Sequence, residues 1–185
     1  MGTIPIFCAM LIPDVLIPGL DLVFCGTAPS RASMAAKAYY AKPGNAFWPS
    51  LFAAGLTPTR LKPQEYPSLP ALGLGLTDLN KTEFGNDVDL DPAAYDVAGF
   101  VDKMRRFRPG AVAFTSKTAA SVFLMGHHGL PGNPPYGRHA LDLDGIALFV
   151  LPSPSGQARR FFTLDPWREA AAFVAARRPA ADQGV

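Results

Sequence analysis

The chain has 185 residues, of which 49% are apolar and 17% charged, and its net charge is +2. That length and balance suit one globular domain over residues 1–185 and exclude an intrinsically disordered chain. The small net charge excludes a protein that coats nucleic acid without preference, while leaving room for a local footprint on DNA.

The first 20 residues are apolar, but Pro5, Pro13, Asp14 and Pro18 interrupt them and they contain no basic n-region. They do not read as a signal peptide, and no run is long enough to span a bilayer, so a cytoplasmic protein with no membrane partner is expected. Residues 20–25 (LDLVFC) are rich in strand formers and stop at Gly26 and Pro29, which predicts a buried strand and a loop. Phe47, Trp48, Leu51, Phe52 and Leu56 recur at helical spacing. Residues 72–79 predict a second strand. Asp91 and Pro92 read as a helix start, followed by the stripe Tyr95, Ala98, Val101 and Met104. Residues 111–115 predict a third strand, and residues 117–125 a helix capped by Ser116. A glycine- and proline-rich loop is expected over 126–138, and a fourth strand over 146–151. Asp165 and Pro166 open a last helix to about Arg178, with a frayed tail over 180–185.

Strand and helix thus alternate four times. This predicts an α/β fold, a three-layer α/β/α arrangement around a four-stranded, mainly parallel sheet. Ligands of such sheets bind beyond the carboxyl ends of the strands, which singles out the loops after Cys25, Leu79 and Leu151. Two cysteines, Cys8 and Cys25, are too few for a four-cysteine metal site. Cys25 reads as a buried free thiol, and a Cys8–Cys25 disulfide is not expected. His127, His128 and His139 lack a zinc-ligand spacing, so no metal and no cofactor is expected.

The loop Gly26-Thr27-Ala28-Pro29-Ser30 follows the first strand, and Ser153-Pro154-Ser155-Gly156 follows the fourth. Glycine admits close approach of a ligand and proline stiffens the turn. Each loop alone also fits an ordinary rigid turn. Arg159 and Arg160 follow the second loop and suit either a phosphate contact or a solvated face.

Together, LVFCGTAPS, Tyr40-Ala41-Lys42-Pro43-Gly44-Asn45-Ala46-Phe47-Trp48 and VLPSPSG, in this order, resemble the uracil-DNA glycosylase superfamily. The mismatch-specific branch, with its VVFCGINPG, F-A-H-P-x-N-R-F-W and VLPNPSG patterns, is the most similar. The resemblance runs from about Pro18 to Arg160. It implies a uracil-DNA glycosylase-like fold and a DNA partner containing uracil or another damaged base. The implied activity is hydrolysis of the N-glycosidic bond after base flipping, by a monomer. It places Gly26, Thr27, Ala28, Tyr40, Asn80 and Ser153 against the flipped base. Tyr40 would stack on the base, and the backbone near Thr27 and Tyr40 would donate to its carbonyls. Ser33, Ser155, Gly156, Gln157, Arg159 and Arg160 are expected to meet DNA, with Gln157 where the family often carries a leucine wedge.

The chain departs from the family where catalysis is expected. Ala28 stands where the family has asparagine or aspartate, and Ser153 where it has asparagine or histidine. Alanine cannot activate water, whereas the Ser153 hydroxyl can donate to the uracil O2 as charge develops there. The second strand offers Asp78 and Asn80 instead. Asn80 matches the family's amide that reads O4 and N3–H, and it would share a face with Asp78 if the strand reached residue 80. Either Asp78, as general base, or Asn80 is expected to orient the attacking water, with a cap or an ion pair to Lys81 as the structural alternative for Asp78. No lysine carries a motif for Schiff-base chemistry, so a monofunctional enzyme is expected. The alternatives are a glycosylase for hypoxanthine or xanthine, and a module that binds DNA or abasic sites without cleavage. A flavodoxin-like binder is a more distant one.

Overall fold

The computed structural model describes residues 11–178. Five strands form one sheet: β1 (Leu22–Gly26), β2 (Leu74–Asp78), β3 (Ala111–Phe114), β4 (Gly137–Leu143) and β5 (Ile146–Val150). Their spatial order is β2-β1-β3-β5-β4. β1, β2, β3 and β5 are mutually parallel, and β4 runs antiparallel to β5. The helices are α1 (Arg31–Ala36), α2 (Phe47–Ala53), α3 (Val97–Phe107), α4 (Lys117–His128) and α5 (Asp165–Arg177). A ten-residue 3-10 segment, Pro63–Leu72, leads into β2.

Alternation along the strands makes two cores. Leu22 and Phe24 of β1, Ala111 and Ala113 of β3 and Phe149 of β5 face one side, where Phe47, Trp48, Leu51 and Trp167 cover them. Val23, Cys25, Val112, Phe114 and Leu148 face the other, against Phe100, Met104, Phe123 and Leu124 of α3 and α4. This is the period-two geometry of a sheet covered on both faces. Each fully buried aromatic contributes roughly 1.5–3 kcal/mol by leaving water.

The expected α/β architecture is present, with one more strand than the sequence predicts. Between its buried ends, Gly137 and Leu143, β4 shows mostly exposed residues and carries Arg138, His139 and Asp142. An edge strand of this kind leaves no apolar signature. The 126–138 loop is correspondingly shorter, because α4 continues to His128 and Arg138 belongs to β4. Asp91 and Pro92 open only a short 3-10 turn, Pro92–Ala94. Asp96 caps α3 instead, accepting from the Gly99 N–H at 2.8 Å. Ser116 caps α4 as expected. Cys25 is a buried free thiol, whereas Cys8 and the tail over 180–185 lie outside the described residues. No helix among the described residues is long and apolar enough to cross a membrane.

In this strand order β1 lies between β2 and β3, and the connection after β1 packs α2 on one face of the sheet while those after β2 and β3 pack α3 and α4 on the other. The carboxyl ends of these three strands therefore open onto one crevice, the usual ligand position in such sheets.

Candidate active site

Gly26 ends β1 at the centre of this crevice. A β-carbon there would lie 2.6 Å from Asp78 Oδ1, 3.3 Å from the Tyr40 hydroxyl and 3.7 Å from Thr115 Oγ1. Only glycine admits these three groups together. Parallel pairing puts Gly26 opposite Asp78. The Gly26 and Thr27 carbonyls then accept the Leu79 and Asn80 amides at 3.0 and 2.8 Å, zipping the two loops together.

Asp78 is 4% exposed. Its Oδ2 has no hydrogen-bond partner, and the Lys81 ammonium stands 3.8 Å away. Burial pushes its carboxyl up to about 7, and the Asp14 charge adds to the shift while Lys81 and Lys103 oppose it. A carboxyl poised near neutrality can exchange a proton at working pH.

Tyr40 closes the other side. Its backbone adopts a positive φ of 52°, uncommon for an aromatic residue. Two contacts hold it there. The ring stacks on Phe47 at 3.9 Å between centroids and 13° between planes, and the hydroxyl meets Thr115 Oγ1 at 3.0 Å. Burial and the nearby Asp78 raise its phenol well above the ordinary value, so it stays protonated.

The first loop serves largely to brace this arrangement. Thr27 Oγ1 donates to Asp87 at 2.6 Å. Ser30 caps α1 through the Ser33 N–H at 3.1 Å. Ser33, expected at the DNA surface, is 3% exposed. Its hydroxyl engages Ser30 at 3.0 Å and accepts from the Ala41 N–H at 3.3 Å. It ties α1 to the Tyr40 segment and presents nothing to a phosphate. Ala28 contributes only a half-buried methyl group.

Asn80 also differs from its expected position. β2 ends at Asp78, so the shared face does not extend to residue 80. The Asn80 side-chain Oδ1 accepts from the Thr82 and Glu83 backbone amides at 3.0 and 2.9 Å, and its Nδ2 donates to Glu83 Oε2 at 2.9 Å. Fully buried, it organises its own turn, as asparagine does where a strand gives way to a loop.

Ser153, after β5, is half-buried, and its hydroxyl accepts from the Ser155 N–H at 3.3 Å. Ser155 caps the turn Gly156–Phe161. This loop is fastened to the Tyr40 segment through Pro154 O and Ala46 N at 2.8 Å, and through Arg159 and the Gly44 carbonyl at 3.2 Å. Gly156, Gln157, Arg159 and Arg160 stay exposed at the rim. No hydrogen bond joins Ser153 to the Asp78 group among the described residues.

The structure therefore brings Gly26, Tyr40 and Asp78 together, sets Lys81 beside Asp78 as the sequence alternative had it, and adds Thr115, Tyr39 and Asp14, which sequence reasoning passed over. Thr115 had a signal, since it ends a predicted parallel strand in the same way as Gly26. Asp14 and Tyr39 had none. Among the described residues no group of three or more histidines, cysteines or acids could hold a metal ion.

The sequence profile described as the uracil DNA glycosylase superfamily matches residues 13–177. The chain belongs to that superfamily. The match spans every strand and helix of the sheet layers and both loops of the crevice. A solution NMR structure of a Methanosarcina acetivorans protein, provisionally named a uracil DNA glycosylase, has the same fold. It is 22% identical, with a TM-score of 0.54, over 90% of this chain and 97% of the other. Superfamily membership supports a DNA glycosylase.

Proposed function

We propose that this chain is a monofunctional glycosylase of the mismatch-specific type that removes uracil from DNA, with Asp78 directing the attacking water. The observation that carries this reading is the Asp78 carboxyl, buried beside Gly26 with one oxygen unpartnered and poised near neutrality. The nucleotide leaves the duplex and its base stacks on Tyr40, whose ring is pre-set by Phe47 and Thr115. As the bond from C1′ to N1 breaks, the electron pair departs with the base and charge gathers on its O2. Ser153 offers a donor there. Water attacks C1′ and gives its proton to the Asp78 carboxylate, leaving an abasic site and the free base. Gly156, Gln157, Arg159 and Arg160 hold the strand at the exposed rim.

The test is base release from oligonucleotides bearing uracil, single-stranded and in mismatched duplex. Wild type should release uracil, and Asp78→Asn should slow release by about 10²–10⁴-fold, the usual worth of a positioned base. No release from either substrate, or full release by Asp78→Asn, overturns the proposal. One observation favours a second reading. The Asn80 amide is engaged by Glu83 and the turn, so the group suited to reading O4 and N3–H is already occupied. Release of hypoxanthine or xanthine in preference to uracil would establish that alternative.

A further inference from the structure

Behind Asp78 lies a cluster of charges that the glycosylase reading does not use. Asp14 sits on the segment that covers the outer edge of β2, fixed by the Val15–Leu76 bridge, whose two hydrogen bonds are 2.8 and 3.0 Å. Its Oδ1 accepts from Thr77 at 2.8 Å and from Lys81 at 3.0 Å, and its Oδ2 from Lys103 of α3 at 2.7 Å. The Lys81 ammonium also donates to the Ile12 carbonyl at 2.8 Å and the Tyr39 hydroxyl at 3.2 Å. An ammonium has three N–H groups. Three oxygens within 3.2 Å engage all of them, and Asp78 Oδ2, at 3.8 Å, is the one neighbour left without a hydrogen bond.

We propose that Asp14 is a positioning residue for Asp78, holding Lys81 back so that Asp78 keeps an unpaired oxygen instead of closing into an ion pair. The inference rests on Asp78 being the water-directing group. Closure would be the ordinary outcome for a carboxylate and an ammonium three residues apart in a buried setting. A closed pair would keep the carboxylate ionised and hydrogen-bonded, and so a weaker acceptor for the proton of water. Asp14 competes for Lys81 with the same charge and a shorter contact, and Lys103 anchors Asp14. The other titratable groups facing Asp78 are Cys25 from β1 and the phenols of Tyr39 and Tyr40, all kept in their neutral forms by burial.

The experiment follows the Asp78 carboxyl directly by ¹³C NMR titration of the full chain, beside the pH profile of kcat/KM for base release. Asp14→Asn frees Lys81 and removes a negative charge, so the Asp78 midpoint should fall by about one pH unit or more. The acid limb of the pH profile should move down with it. Lys103→Met leaves Asp14 less compensated and pulls Lys81 further toward it, so the midpoint should rise. Lys103 is partly exposed, which keeps this second variant usable if Asp14→Asn fails to fold. A merely structural Asp14 would lower the melting temperature without moving either midpoint. An unmoved or raised midpoint in Asp14→Asn, or an unmoved or lowered one in Lys103→Met, overturns the proposal. Should the midpoints move as expected while Asp78→Asn releases base normally, the catalytic reading fails and the positioning of Asp78 stands.

Discussion

The two loops that frame the crevice are built on different plans. On the β1 side, groups distant in the chain converge. Tyr40 meets Thr115 across 75 positions and Asp14 meets Lys103 across 89, and both contacts are partly buried. On the β5 side the hydroxyl bonds are local. Ser153 and Ser155 each accept from an amide two residues on, and the following residues face solvent. A site made of long-range contacts is stiff, and a change in one member reaches the others. A locally capped turn tolerates substitution and fits a surface that must adapt to a bent strand. On the proposed reading, the water-directing step belongs to the floor around Asp78 and the grip on DNA to the rim around Arg159.

The largest expected effect separates stability from activity on the floor. The Asp78 carboxyl is raised from an ordinary 3.8 to about 7 in the folded chain. Folded protein therefore holds a proton that unfolded chain releases, and ∂ΔG/∂pH is negative between those values. The contribution is complete below about pH 4 and is lost as pH rises through 7, to a total of at most about 4 kcal/mol. Asp78→Asn should flatten that slope. Urea midpoints at pH 5 and 8.5 should differ less in the variant, which becomes the more stable protein at the alkaline end while losing activity. An unchanged pH slope would break the assignment of a raised carboxyl.

Next in size is Gly26→Ala. Its β-carbon would meet Asp78 Oδ1 at 2.6 Å, so either β2 or the carboxyl must shift. A loss of about 1–3 kcal/mol in stability is expected. Base release should fall by about 10²-fold, because the reacting group is displaced. Thr115→Val should follow, leaving the Tyr40 hydroxyl without its partner at 3.0 Å. About 1–3 kcal/mol of destabilisation by thermal melts is expected. If either variant behaves as wild type, the floor is not the coupled unit described above.

The same contrast explains what the sequence could disclose. β1, β3 and β5 are buried on both faces and read as continuous apolar runs, so the sheet was legible from residues 20–25, 111–115 and 146–151. β4 was hidden because an edge strand with charged, solvent-facing side chains has neither an apolar run nor a clean alternation. Within the site, Gly26, Tyr40 and Asp78 were legible because each stands at or near a strand end or in a family motif. A face shared by Asn80 and Asp78 required two more residues of strand, but β2 stops at Asp78 and the Asn80 side chain caps its own turn. Asp14 carries no local signal at all, since its partners lie 63 to 89 positions away and only the packing of α3 and the β2 edge brings them near.

The smallest effect tests the rim. Arg159 is exposed, and its side chain bonds only to the Gly44 carbonyl, at 3.2 Å, among the described contacts. Arg159→Ala should change stability by less than about 0.5 kcal/mol, as surface substitutions generally do. If this residue meets a phosphate, binding to abasic-site DNA should weaken evenly across sequences. The slope of log K against log salt should shrink by about one. Base release at saturating DNA should stay near the wild-type rate, because the floor is untouched. A variant with a normal salt slope but slow release would place Arg159 with the chemistry after all and erase the distinction between the two loops. A reduced slope with normal release would sharpen it, since grip on DNA and bond cleavage would then be removable one at a time.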